Sequence, residues 1–267
     1  MNADLNLAHA LAVARQLSAW AAEAIRTPHR GNVRRKASPA DIVTGTDERI
    51  ERHVREVLHR EFPTHGIEGE EYGVQAPKSP DAPHWLIDPV DGTTNYAHNL
   101  GWCSFSLGLA APDGTPLLGL VADPWRSETF TAITGGGAFL NDTPIQAADH
   151  TTLTGHVFLT EWAAHTHWPG LDPLLSSLAA RHCTTRVMGS TALSLSQVAA
   201  GRASAAAIGE FHAVDGLPAY LIAREAGAVA VPRFPTHNHP FLLTAPGVAA
   251  EMTELWEASV AAARREK

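Results

Sequence analysis

Cysteine is almost absent from this chain: Cys103 and Cys183 are the only two. That excludes a disulfide framework and fits a reducing, cytoplasmic setting. No apolar run reaches the roughly 20 residues that a membrane span needs. The apolar pattern near the start is interrupted by Asp4, His9 and Arg15 and does not read as a signal peptide. Positive charge is in short supply, with 20 Lys and Arg against 28 Asp and Glu and a net charge of −8. Nucleic acid and anionic membrane surfaces are therefore poor partners. There is no internal repeat and no low-complexity tract. What is left is an ordinary globular composition, long enough to bury a core as one large α/β domain or as two lobes sharing a site.

Residues 4–26 are Ala-rich, with Leu7, Leu11, Ala14 and Leu17 at helical spacing, which predicts a long amphipathic helix. A second helix is predicted over 47–61, capped by Thr46, with Ile50, Val54, Val57 and Leu58 on one face. Asp47 then sits in its first turn, where the helix dipole favours a carboxylate. Strands are predicted at 103–111, 117–122 and 128–133, the first two joined by an Asp113-Gly114 turn. The first part, about 1–148, therefore reads as a mainly antiparallel sheet, with residues 75–83 as a Pro-rich excursion. From about 149 to 267, strand-like runs (157–160, 203–208, 229–231, 242–244) alternate with helical ones (171–181, 190–200, 216–226, 248–264). That rhythm marks an α/β lobe.

The most informative stretch follows the apolar run at 85–87, which ends abruptly in Asp88. It reads as a buried strand delivering a carboxylate at its C-terminal end, with Pro89 forcing a turn. Asp91 follows three residues later. Two carboxylates that close repel unless a proton or a cation sits between them. Gly92, Thr93 and Thr94 add N–H donors and hydroxyls suited to an anion at a helix N-terminus. Carboxylates for cations beside N–H groups for an anion point to metal-assisted phosphate chemistry. Alone, however, a D-x-x-D-G string is more often an ordinary turn with capping roles.

The longer string DPVDGTTNY at 88–96 resembles, at every position, the D-P-[IVL]-D-G-T-T-N-[FY] signature of the inositol monophosphatase family. KASPADIVTGTD at 36–47, Gly69-Glu70-Glu71, and Val214-Asp215 with Glu225-Ala226-Gly227 resemble its other motifs, in family order. The resemblance implies a layered α/β/α/β/α sandwich with the site where the lobes meet, and a homodimer. It implies Mg²⁺-dependent hydrolysis of a small-molecule phosphate monoester, an inositol (cyclitol) or sugar phosphate, by a metal-activated water. Two or three Mg²⁺ ions are implied. Glu70, Asp88 and the carbonyl of Val90 would hold the first, and Asp88, Asp91 and Asp215 the second. Thr93, linked to Asp47, would orient the nucleophile, and Glu70 would help accept its proton. The N–H groups of Gly92 and Thr93 would hold phosphate oxygens, and Lys36 would add positive charge nearby. The chemistry is consistent: uncatalysed phosphate monoester hydrolysis is extremely slow, and an acidic protein needs hard cations to meet an anionic ester. Taken singly, Asp215 would be a helix N-cap, and Glu70 and Lys36 solvated charges.

Departures from the family pattern fall around the organic half of the substrate. Val214 replaces a Trp, Gly216-Leu217-Pro218-Ala219 replaces a run of small residues, and Ala228 replaces a Gly. Pro218 is expected in a first helical turn, where proline is tolerated. Ile208 occupies the place where inositol-specific members carry a Glu that bonds ring hydroxyls, and isoleucine has no such capacity. Glu210 is expected to share its strand face. Thr191, His212 and Asp215 complete the expected substrate contacts, with Asp91, Gly92 and Thr93. Histidinol phosphate, fructose bisphosphate or a 3′-phosphonucleotide are alternative substrates, and a non-catalytic regulatory binding protein is a further alternative. The pairs His165/His167 and His237/His239 lack a suitably spaced Cys or carboxylate partner for zinc and read as exposed or packing histidines.

Overall fold

The computed structural model describes residues 6–27, 33–35, 42–162 and 167–265. Helices α1 (Leu7–Arg26) and α2 (Gly45–Glu61) flank a short hairpin of β1 (Arg34–Arg35) and β2 (Ile42–Val43). Next come β3 (Gly66–Gly69), β4 (Gly73–Gln75), β5 (His84–Asp91), the short α3 (Thr93–Ala97), and β6 (Ser104–Ala110). Strands β7 (Pro116–Asp123), β8 (Glu128–Ile133), β9 (Ala138–Leu140) and β10 (Thr143–Ile145) complete an eight-stranded sheet. Its order is β10-β9-β8-β7-β6-β5-β3-β4, antiparallel except where β3 pairs β5. The remainder runs β11 (Val157–Thr160), α4 (Leu171–Ala179), β12 (Thr184–Val187), α5 (Thr191–Ala199), β13 (Ala205–Ile208), α6 (Ala213–Glu225), β14 (Val229–Val231), β15 (Phe241–Thr244) and α7 (Ala249–Arg265). Those five strands form a mixed sheet in the order β12-β11-β13-β15-β14.

Three apolar clusters stack these elements into five layers. Leu17, Ile50 and Val54 of α1 and α2 pack on Trp85, Phe105 and Leu120 of the large sheet. Its other face (Leu86, Val121, Phe130) meets Leu193, Tyr220 and Ile222 of α5 and α6, which also cover Ala206 and Leu243 of the second sheet. Leu174 and Trp256 of α4 and α7 close the far face. Each sheet is covered on both sides, so its strands lose the polar alternation of a half-exposed sheet; β6, for instance, is buried throughout. The α/β/α/β/α sandwich is as the sequence implied.

Several boundaries differ from expectation, each for a physical reason. Helix α2 starts at Gly45, because Thr44 and not Thr46 is its cap; Thr44 and Asp47 form a reciprocal capping box. Helix α6 starts at Ala213, so Pro218 lies inside it. An interior proline forfeits a helical hydrogen bond, at about 3 kcal/mol. It is accommodated because Gly108 and Gly119 face each other on β6 and β7 and leave a groove. A Cβ on Gly119 would fall 2.3 Å from the Pro218 carbonyl oxygen. Strand β5 does not stop at Pro89 but runs on to Asp91 through a bulge.

Candidate active site

The bulge creates the site. Asp88 pairs with Ser106 of β6, but Asp91, three residues on, pairs with Ser104, two residues back. In a regular strand, residues three apart point to opposite faces. The extra residue restores parity, so both carboxylates leave the same face. Pro89 sits in the bulge, where its missing N–H breaks no regular ladder.

Asp91 is 6% exposed and holds the large sheet to α5. Its Oδ1 accepts the backbone N–H of Thr191 at 3.0 Å, and its Oδ2 that of Ala192 at 2.9 Å. Oδ2 also accepts the hydroxyls of Ser104 (3.0 Å) and Ser190. Burial pushes its pKa up to about 6, although all four bonds pull it down. Asn95 is a second staple: its Nδ2 donates to the carbonyls of Trp102 at 2.8 Å and Met188 at 2.7 Å. Gly92, between them, has φ +89°, and a Cβ there would lie 2.9 Å from the Gly189 carbonyl. Only glycine fits that combination of left-handed backbone and close approach.

Behind this turn, the Thr93 hydroxyl lies 3.0 Å from the Val90 carbonyl and 3.3 Å from Asp47 Oδ1. Asp47 is fully buried at the start of α2, and burial raises its pKa to about 6 against the Thr44 hydrogen bonds. Glu70 follows β3 on a loop held from below by Glu51, a fully buried α2 residue. Glu51 accepts the N–H groups of Glu71 (2.7 Å) and Tyr72 (3.1 Å) and pairs with Arg55 at 2.8 Å. Gly69 is required beside it, since a Cβ would lie 2.0 Å from the Glu51 carboxylate. Asp215 stands in the first turn of α6, whose backbone carbonyl accepts the Ser106 hydroxyl at 3.2 Å.

These elements enclose a cavity of about 200 Å³. Glu70, Asp88, Val90, Asp91, Gly92, Thr93 and Asp215 line it, as do Thr191, Glu210 and His212. Asp88 is 3% exposed, and its carboxyl is pushed well above the usual range, first by burial and then by the charges of Glu70, Asp215 and Asp91. No Lys or Arg is among the lining residues described. Among the described residues, no three His, Cys, Asp or Glu side chains are already drawn into a coordination sphere. The donor chemistry nevertheless fits hard divalent cations: four carboxylates and a carbonyl share one small cavity with no cation among its described lining residues. Burial lowers the pKa of His212, and the His237 ring, 5.0 Å away edge-on, lowers it further.

Two expectations about the substrate end are corrected. Ile208 is fully buried in the central core and does not reach the cavity. Glu210 does not share its face, because β13 ends at Ile208 and Glu210 lies beyond the strand, exposed. Lys36 lies outside the described residues. The sequence reading missed Glu51, Asn95, Glu161 and Trp162. The last two line the cavity, and Glu161 accepts the Thr191 hydroxyl. A signal for Glu161 existed, since it ends the apolar run of β11 just as Asp88 ends the run in β5. Among the histidines, His237 packs on His212, while His167 contacts Asp172 at 2.8 Å, a carboxylate partner the spacing argument overlooked.

Comparison with known proteins converges on one group. The model of the inositol monophosphatase family matches residues 4–267. Inositol monophosphatase 1 of Sus scrofa is 32% identical over 227 residues, covering 83% of this chain and 81% of that protein. A Nus factor SuhB from Pasteurella multocida is 36% identical over 194 residues, 72% of each chain. The solved inositol monophosphatase of Anabaena superposes with a TM-score of 0.80 at 26% identity, covering 95% of this chain and 97% of that one. With the four motifs, the five-layer fold and the carboxylate-lined cavity, the full-length match leaves one assignment: the chain belongs to the inositol monophosphatase family.

Proposed function

We propose that the protein is a Mg²⁺-dependent phosphatase acting on a small-molecule phosphate monoester. The observation that carries this reading is the convergence of Glu70, Asp88, Asp91 and Asp215 on one cavity beside the Gly92-Thr93 turn. Glu70, Asp88 and the Val90 carbonyl would hold one ion, and Asp88, Asp91 and Asp215 another, Asp88 being shared. Oδ1 of Asp91, with a single hydrogen bond, is the oxygen with capacity to spare. The bound cations would act as Lewis acids, offsetting charge on the phosphoryl group and the leaving oxygen.

The chain's own residues do the rest. The Thr93 hydroxyl has one proton to give, and Asp47 and the Val90 carbonyl both lie in reach of it. Donating to either leaves its oxygen lone pairs aimed at the cavity, where they orient a water. Glu70 accepts the proton that water releases. The N–H groups of Gly92 and Thr93 bind phosphate oxygens. Thr191, Glu210 and His212 meet the organic half. We further take the protein to be a cytoplasmic homodimer of one two-lobed catalytic domain, 1–148 and 149–267, which sedimentation velocity and limited proteolysis test.

Phosphate release from inositol, sugar, glycerol, histidinol and 3′-nucleotide phosphates, with Mg²⁺ and with chelator, tests the reading. Mg²⁺-dependent release that Asp88→Asn and Thr93→Ala abolish is expected. No release from any ester by folded protein would favour a second reading, a regulatory binding role, for which the Nus factor name of the Pasteurella relative is the support.

A further inference from the structure

One carboxyl of the catalytic cavity has no task in the reading above. Glu161 lines that cavity and also an adjoining one of about 360 Å³, walled by Ile42, Asn95, Val187 and Met188. It directly follows β11 and so enters from the five-stranded sheet, whereas Glu70 and Thr93 follow strands of the eight-stranded one. Its position is fixed from two sides. The backbone carbonyl accepts Trp168 Nε1 at 3.1 Å, and Oε1 accepts the Thr191 hydroxyl. Thr191 in turn donates its backbone N–H to Asp91 Oδ1 at 3.0 Å. Glu161 is therefore one residue removed from a carboxylate of the metal-binding set without belonging to that set. With Oε1 taken by Thr191, Oε2 is the oxygen left to carry a proton.

That proton is in place at neutral pH. Burial pushes the Glu161 carboxyl up to about 8, against the Thr191 bond and with the help of the Asp91 charge. Burial is the larger cause, and it does not depend on whether the neighbouring carboxylates hold cations. The titratable groups that share the cavity with it are Glu70, Asp88, Asp91, Glu210, Asp215 and the imidazole of His212. No Lys or Arg among the described lining residues of either cavity would draw the proton off. A carboxylic acid with a pKa near the working pH is the group best able to give a proton in a transition state.

The reaction needs such a donor. In an in-line displacement the entering and leaving oxygens lie on opposite sides of phosphorus. Thr93 and Glu70 serve the entering water from the large sheet, which leaves the departing oxygen to the other lobe. We propose that Glu161 is the general acid of the reaction and gives its Oε2 proton to the oxygen of the departing alcohol. The P–O bond to the alcohol breaks and its electron pair stays on that oxygen, which takes the proton and leaves as a neutral alcohol. Glu161 remains as a carboxylate, and the proton of the attacking water lies on Glu70. Exchange of that proton with solvent and return of one to Glu161 restore the starting state. The proposal rests on the phosphatase reading above and adds a catalytic residue to it.

Esters of unequal leaving groups test it. The alkoxide of glycerol 2-phosphate needs a proton in order to leave, and the phenolate of p-nitrophenyl phosphate does not. In Mg²⁺, Glu161→Gln should lower kcat/KM for glycerol 2-phosphate by about 100-fold or more, the usual worth of a general acid, and leave p-nitrophenyl phosphate nearly unchanged. In the wild type, the ratio of the alkyl to the aryl ester should fall as pH rises through about 8. Metal loading and the titration of the other carboxyls act on both esters and cancel in that ratio. Thr191→Val removes the bond that favours the charged form and should move the fall to higher pH. The wild-type profile decides the matter even if the glutamine variant does not fold. An alkyl-to-aryl ratio that stays level with pH, or equal losses on both esters in Glu161→Gln, overturns this proposal alone. No phosphate release from any ester, here or in the wider panel, overturns the phosphatase reading and this proposal with it.

Discussion

Asp91, on the large sheet, accepts the backbone N–H of Ala192, on α5, at 2.9 Å. The bond joins residues 101 positions apart and ties the N-terminus of a helix to the carboxylate that the β5 bulge turns inward. A helix N-terminus stabilises a carboxylate there through its unpaired N–H groups and its dipole. The residue expected to bind metal is thus also a bolt between layers.

Asp91→Asn should therefore damage stability as well as turnover. An amide would turn an N–H toward donors already pointing at the site, leaving buried groups unpaired. We expect a loss of about 3 kcal/mol, or roughly 6–12 °C in Tm. A variant that melts with the wild type would show that the Thr191, Ala192, Ser104 and Ser190 bonds contribute no net stability.

Glu51 should behave as the support of Glu70. Glu51→Ala strands the Arg55 guanidinium and two loop N–H groups, costing about 3 kcal/mol. The Mg²⁺ concentration for half-maximal activity should rise about tenfold, as for other groups that hold a metal ligand in place. Glu51→Gln, which keeps an acceptor for the Glu71 N–H, should lie between. Unchanged Mg²⁺ dependence in the folded Ala variant would confine Glu51 to a purely structural role.

The difference between Glu70 and Glu51 shows what spacing conveys. Glu70 sits in a recognisable motif and lines the cavity. Glu51 looks like any helix-surface charge, an i,i+4 partner for Arg55; only the return of β3 beneath α2 buries it. The same holds for Glu161, whose meaning depends on Thr191 arriving beside it. Asp88 and Asp91 were legible as a pair, but the means of pairing them was not: a bulge depends on the register of β6, which no local pattern prints. Likewise, Pro218 made sense in sequence only as a first-turn residue, because the glycine groove that receives it lies on other strands. Strands β6 to β8 were readable nearly to the residue, since continuous apolar runs and a tight turn are local signals.

Asp88→Asn should separate activity from stability. Six carboxyl side chains line the cavity, and Asp88 is the most buried of them. Turnover should fall by more than about 100-fold, beyond the usual loss for a merely supporting group. In chelator, the variant should melt higher than the wild type, because one buried like charge is gone. Mg²⁺ should raise the wild-type Tm and leave the variant nearly unmoved. Equal Mg²⁺ shifts in both proteins would remove Asp88 from the metal-binding set.

Glu161 carries a pH signature that is independent of turnover. Burial pushes its carboxyl from an ordinary 4.5 up to about 8, with the Thr191 bond opposing and the Asp91 charge assisting. Its folded-state pKa is raised, so the folded protein binds a proton there that the unfolded chain releases. The stability tied to that proton is complete below about pH 4.5 and is lost as pH rises through about 8. Glutamine cannot titrate and keeps an acceptor for Thr191. In chelator, the Tm of Glu161→Gln minus that of the wild type should therefore grow by a few degrees, at roughly 2–4 °C per kcal/mol, between pH 5 and pH 9. Melts of both proteins across that range decide it: a difference that stays flat would mean that Glu161 is already ionised, and solvated, at neutral pH.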